Sequence, residues 1–130
     1  EDTVQFRCAN VLDELPKLAQ SGEQYDVVIL DPPAFTKSRQ ATKNAIKGYR
    51  DINMKGLKLV NDGGYLATCS CSHFMTQELL AKTIREAARS AHKRLRQVEF
   101  RMQAPDHPIL WAADESYYLK FYIFQVVDEK

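Results

Sequence analysis

The stretch that most limits what this chain can become is Asp26-Val-Val-Ile-Leu-Asp-Pro-Pro-Ala-Phe35. Val27, Val28, Ile29 and Leu30 form an unbroken apolar run rich in β-branched residues, which predicts a short strand buried on both faces, as in the middle of a parallel sheet. Pro32 and Pro33 cannot continue such a strand, so the chain must leave the sheet immediately after Asp31. A carboxylate is thereby fixed at the carboxyl end of a strand, where open α/β sheets place their ligands. A second strand end of the same kind is expected at Gly64-Tyr-Leu-Ala-Thr-Cys-Ser-Cys-Ser72.

The elements around these two strand ends alternate. Residues 4–8 read as the tail of a strand, and residues 11–20 as a helix with an apolar stripe and Asp13 and Glu14 in its first turn. A polar loop over 36–44 leads into a helix that runs to about residue 60, where Gly56 allows close packing and Tyr49 and Asn53 share the inward face. Asn61-Asp-Gly-Gly64 signals a stop and a turn. A strand over 65–69 follows, then a helix capped by Thr76 with Leu79, Leu80, Ile84, Ala87, Ala88 and Ala91 on one face. Strands over 95–102 and 117–127 close the chain, separated by a loop that contains Pro105 and Pro108. The pattern predicts an α/β fold with a mostly parallel sheet and helices on both faces, in which the final strand runs antiparallel because no helix precedes it. At 130 residues the chain is one domain, or part of one.

Charge is distributed unevenly. The net charge is only +1, yet seven basic residues and a single acidic one, Asp51, fall between positions 36 and 60. That cationic segment begins directly after Asp-Pro-Pro, and Lys37, Arg39 and Lys43 are candidates for contact with a phosphate backbone. The ordinary alternative is a solvated loop and helix face. No apolar run approaches the roughly 18 residues that a membrane helix needs, so no membrane association is expected. Three cysteines, two of them in Cys69-Ser-Cys71, suggest a reducing cytoplasm and not a disulfide framework. Cys69, Cys71 and His73 are too few and too closely spaced for a zinc site, so no metal is expected.

None of the five glycines forms a Gly-x-Gly loop. A cofactor-binding α/β unit carries that loop after its first strand, so either the protein binds no nucleotide or, as the opening in mid-strand favours, the first strands of the fold precede Glu1.

Taken together, several segments are diagnostic: Asp31-Pro-Pro-Ala-Phe35, Lys47-Gly-Tyr-Arg-Asp-Ile-Asn-Met54, Asp62-Gly-Gly-Tyr-Leu66, Ser70-Cys-Ser72, Ala104-Pro-Asp-His-Pro108 and Tyr118-Leu-Lys120. In this order they resemble the bacterial and archaeal class I S-adenosylmethionine-dependent RNA methyltransferases that modify position 5 of cytosine in large-subunit ribosomal RNA. The likeness covers nearly the whole chain. It implies a Rossmann-like methyltransferase sheet lacking its first strands, with residues 1–130 as the C-terminal part of the catalytic domain. It also implies S-adenosyl-L-methionine as cofactor and ribosomal RNA as partner, with a homodimer as the assembly to test for.

Position 5 of cytosine is a poor nucleophile. A thiolate that adds at the neighbouring ring carbon, position 6, moves electron density onto it, and this chemistry needs a cysteine at the ligand edge of the sheet and a hydrogen-bonding group for the ring. By resemblance, Cys71 matches the nucleophile and Asp31 the carboxylate that engages the base edge. Asn10 matches the position that recognises the cofactor's adenine amino group, with the Val11 N–H on the ring and Asp31 and Pro32 lining the cofactor side. Without the resemblance, Asn10 reads as a helix N-cap, and Cys8 and Cys69 as ordinary buried cysteines. His107 either shapes the entrance to the site or fixes its loop.

Two other readings stay open at this stage. Methyltransferases acting on exocyclic amino groups also use Asp-Pro-Pro, but with an aromatic residue directly after it, whereas Ala34 intervenes here. A non-catalytic fragment that binds RNA through residues 37–58 is the second, since the isolated 130 residues lack the glycine loop and are expected to bind cofactor weakly.

Overall fold

The structure is a computed structural model, and it describes residues 11–32, 42–70, 75–102 and 119–129. Its elements are α1 (Val11–Ser21), β1 (Tyr25–Leu30), α2 (Thr42–Lys58), β2 (Val60–Ser70), α3 (Gln77–Ser90), β3 (Lys93–Met102) and β4 (Lys120–Asp128). The strands form one sheet in the order β1-β2-β4-β3. β1 and β2 pair in parallel, and β4 is antiparallel to both of its neighbours. The expected strand 4–8 lies outside the described residues.

The mixed topology follows from the connections. α3 carries the chain from the end of β2 back to the start of β3, so β3 points the same way as β2. β3 nevertheless stands one place away from β2, and β4 fills the gap. The antiparallel β3–β4 pair matches the sequence expectation; the insertion of β4 beside β2 is a tertiary result.

All three helices pack on one face of the sheet. Leu15 of α1, Ile52 and Leu57 of α2, and Ala87 and Ala88 of α3 join Leu30, Leu66 and Val126 in one buried cluster. A second cluster joins Tyr49 of α2 and Leu80 and Ile84 of α3 to Tyr122 and Phe124 of β4. The Tyr122 and Phe124 rings lie 5.2 Å apart, and Phe100 of β3 stands 4.6 Å from Tyr122 on the other side. Each large apolar side chain buried in this way contributes about 1.5–3 kcal/mol. α3 begins as its sequence predicts: the Leu79 N–H donates to the Thr76 hydroxyl at 3.1 Å.

Two expectations need correction. The β1 run was expected to be buried on both faces, with helices on each; among the described residues only the face carrying Val28 and Leu30 is covered. Val27 and Ile29, which alternate with them, are 56% and 69% exposed. The predicted turn at Asn61-Asp-Gly-Gly64 lies within β2 as an irregularity. Tyr25 pairs with Val60 but Val27 pairs with Tyr65, so residues 61–64 bulge out of the ladder between two stretches of one strand. Asn61 Nδ2 donates to Asp26 Oδ1 at 2.8 Å and ties the bulge to β1.

Gly56 is where α2 meets β1. A Cβ there would fall 2.7 Å from Leu30 Cδ1, so the missing side chain lets the helix lie close against the end of the strand that carries Asp31.

Candidate functional site

The site is built from two parallel strand ends. β1 finishes at Leu30 and β2 at Ser70, and their register pairs Ile29 with Ala67 and Leu30 with Thr68. One step further along both strands brings Asp31 beside Cys69. Asp31 is exposed, Pro32 behind it is buried, and the chain leaves the sheet there.

The Cys69 thiol donates a hydrogen bond to Asp31 Oδ1 at 3.1 Å and lies 3.7 Å from the Leu30 carbonyl oxygen. Cys69 is buried, as its sequence reading held, but it is engaged with the carboxylate that resemblance placed in the site. Sequence reasoning reached the two strand ends but not this contact. It is the parallel register, with Leu30 opposite Thr68, that aligns residue 31 with residue 69.

Beneath this edge, on the helix side of the sheet, lies a buried polar network. Thr68 Oγ1 donates to Asn53 Oδ1 at 2.7 Å, and Asn53 Nδ2 donates to the Tyr49 carbonyl oxygen at 2.7 Å. Ser70 Oγ stands 3.0 Å from the Tyr49 hydroxyl. All four residues are fully buried, where a polar group without partners costs about 1–3 kcal/mol. The network therefore locks α2 to the last residues of β2, from which the chain enters the Ser70-Cys-Ser72 segment. Lys120, the first residue of β4, is buried opposite Ser70.

α1 ends shortly before β1 begins and runs back along it, with Leu15 in the same cluster as Leu30. Its start at Val11 therefore lies toward the Asp31 edge. The first N–H groups of a helix have no intrahelical acceptors and are met by a cap, by water or by a ligand. Of the remaining sequence candidates, Lys43 is exposed in the first turn of α2. Asn10, Lys37, Arg39, Cys71 and His107 lie outside the described residues. Among the described residues, no group of three or more His, Cys, Asp or Glu could hold a metal ion, and no helix is long and apolar enough to cross a membrane.

The chain superposes on a candidate methyltransferase solved with SAH bound, with a TM-score of 0.74 and 19% identity, covering 90% of this chain and 30% of that one. A candidate SAM-dependent methyltransferase from Streptococcus mutans gives a TM-score of 0.72 at 20% identity, covering 90% and 29%. The fold is that of the class I methyltransferases. No family model matches the sequence. The chain is 39% identical over 126 residues to the ribosomal RNA large subunit methyltransferase I of Shewanella frigidimarina, covering 97% of this chain and 32% of that protein. It is 40% identical over 123 residues to the protein of the same name from Aliivibrio fischeri, covering 95% and 31%. The chain thus spans about a third of the length of the curated relatives it matches.

Proposed function

We propose that this chain is the C-terminal part of the catalytic domain of an S-adenosylmethionine-dependent methyltransferase that modifies position 5 of cytosine in large-subunit ribosomal RNA. The observation that carries the proposal is the parallel register of β1 and β2, which sets Asp31 and the strand end leading to Cys71 at one edge of a class I methyltransferase sheet. The relatives named as large-subunit ribosomal RNA methyltransferases support the substrate class.

The residues present fit the cofactor. An exposed carboxylate at Asp31 and the backbone N–H groups of the first turn of α1 would offer an acceptor and donors along the same edge. Asn10 and the Val11 N–H would hold the adenine, and Asp31 and Pro32 would flank the cofactor where it meets the base. S-adenosylmethionine supplies an electrophilic methyl group on a sulfonium.

In the proposed reaction, the Cys71 thiolate adds to position 6 of the cytosine ring, and Asp31 hydrogen-bonds the ring as charge develops. The electron pair displaced onto position 5 takes up the methyl group. A base then removes the proton from position 5, and the electrons of that C–H bond restore the ring double bond and expel the Cys71 thiolate. Lys37, Arg39 and Lys43 would guide the RNA backbone to this edge.

The test is a nucleoside mass spectrum of ribosomal RNA treated with the full-length enzyme. The proposal requires 5-methylcytosine. Methyl groups found only on exocyclic amines would transfer the assignment to the amino-methyltransferase reading.

A further inference from the structure

We propose that Cys69 is a positioning residue for the reaction, holding the Asp31 carboxylate in place through its thiol. The inference rests on the assignment of Asp31 to the site and goes beyond it, since Cys69 has no role in the scheme above.

Three observations carry it. Cys69 and Asp31 occupy equivalent steps past the paired Leu30 and Thr68, so the parallel ladder sets the two residues side by side. Cys69 is 6% exposed, so water competes little for its thiol, while Asp31 is exposed. The distance from sulfur to Oδ1, 3.1 Å, is short for a thiol donor, and the nearby Leu30 carbonyl oxygen, at 3.7 Å, is the weaker acceptor.

Asp31 follows the last ladder residue of β1 and precedes two prolines, so its backbone is constrained but its side chain still has two free torsions. A donor on the adjacent strand restricts those torsions and aims the second oxygen, Oδ2, away from the thiol. Small errors in the placement of such a group lower turnover more than they lower binding. Cys69 therefore affects how often the carboxylate is correctly aimed, not how tightly RNA is held.

The test uses the full-length enzyme with Cys69→Val, which removes the donor and stays apolar, and Cys69→Ser, which keeps a donor. Cys69→Ala serves as a second donor-free variant if valine disturbs folding. Cys69→Val is expected to lower kcat about tenfold, in line with loss of a hydrogen bond to a charged group, with the KM for RNA unchanged. Cys69→Ser is expected to recover most of that loss. Added to Asp31→Asn, Cys69→Val is expected to cost nothing further, because the group it positions is no longer a carboxylate.

Independent, multiplying losses in the double variant would overturn the inference, as would equal kcat in Cys69→Val and the wild type beside a crippled Asp31→Asn. Full activity in Asp31→Asn would instead overturn the assignment of Asp31 itself, and this inference with it.

Discussion

Thr68 of β2 donates its hydroxyl to Asn53 of α2 across 2.7 Å, with both side chains shielded completely from water. The bond crosses from helix to sheet two residues before β2 ends, so it fixes the strand end on which the proposed chemistry depends.

Breaking one side of this pair leaves the other side buried without its partner. Thr68→Val, nearly isosteric, is expected to destabilise the protein by about 1–3 kcal/mol. Combining it with Asn53→Leu should cost less than the sum of the two single changes, because no unpaired partner then remains between the two positions. Urea unfolding of the two single variants and the double variant measures this, and strictly additive losses would refute the coupling.

Gly64 sits where the bulge in β2 folds back on itself. A Cβ there would meet the Asp26 carbonyl oxygen at 2.7 Å and the Asn61 carbonyl oxygen at 3.0 Å. Backbone atoms cannot move aside as a side chain can. Gly64→Ala is expected to cost about 2–3 kcal/mol. Gly56→Ala, whose nearest contacts are with the Leu30 side chain, should cost less, since alanine's higher helix propensity returns about 1 kcal/mol. Equal midpoints in urea for the two variants would contradict this difference.

The nucleophile assignment has a direct test in the full-length enzyme. Cys71→Ser is expected to lower turnover by orders of magnitude with little effect on folding or cofactor binding. RNA with 5-fluorocytosine at the target should form a covalent adduct with the wild type, because fluorine replaces the proton whose removal frees the thiolate. Cys69→Ser should still form that adduct. Denaturing gel electrophoresis reads the two adducts and methyl incorporation into RNA the turnover; near-normal turnover in Cys71→Ser would end the cytosine-5 proposal.

The cationic segment makes a prediction about salt. Replacing Lys37, Arg39 and Lys43 by glutamine should weaken RNA binding and flatten its dependence on salt concentration. Each lost phosphate contact should lower the slope of log K against log salt by about 0.7–0.9. Filter binding over a salt series checks this, and an unchanged slope would leave the three residues as ordinary surface charge.

The sequence by itself determined the two strand ends, the helices between them and the antiparallel last strand, because apolar periodicity, prolines and the Thr76 cap act over a few neighbouring residues. Its local signals also singled out Gly56, Tyr49 and Asn53 as packing positions on the inner face of α2. Other features depended on contacts between residues distant in the chain. Asn61-Asp-Gly-Gly64 carries every local sign of a turn, yet β1 supplies partners on either side of it and makes it a bulge. The apolar run 27–30 has the pattern of a strand covered twice, but pattern cannot say where helices pack; α1, α2 and α3 all cover the Leu30 face. Cys69 looked like any buried cysteine until the parallel register set its thiol against Asp31. Burial is legible in a residue's type and spacing, whereas a hydrogen bond between residues 38 positions apart exists only once the sheet has formed.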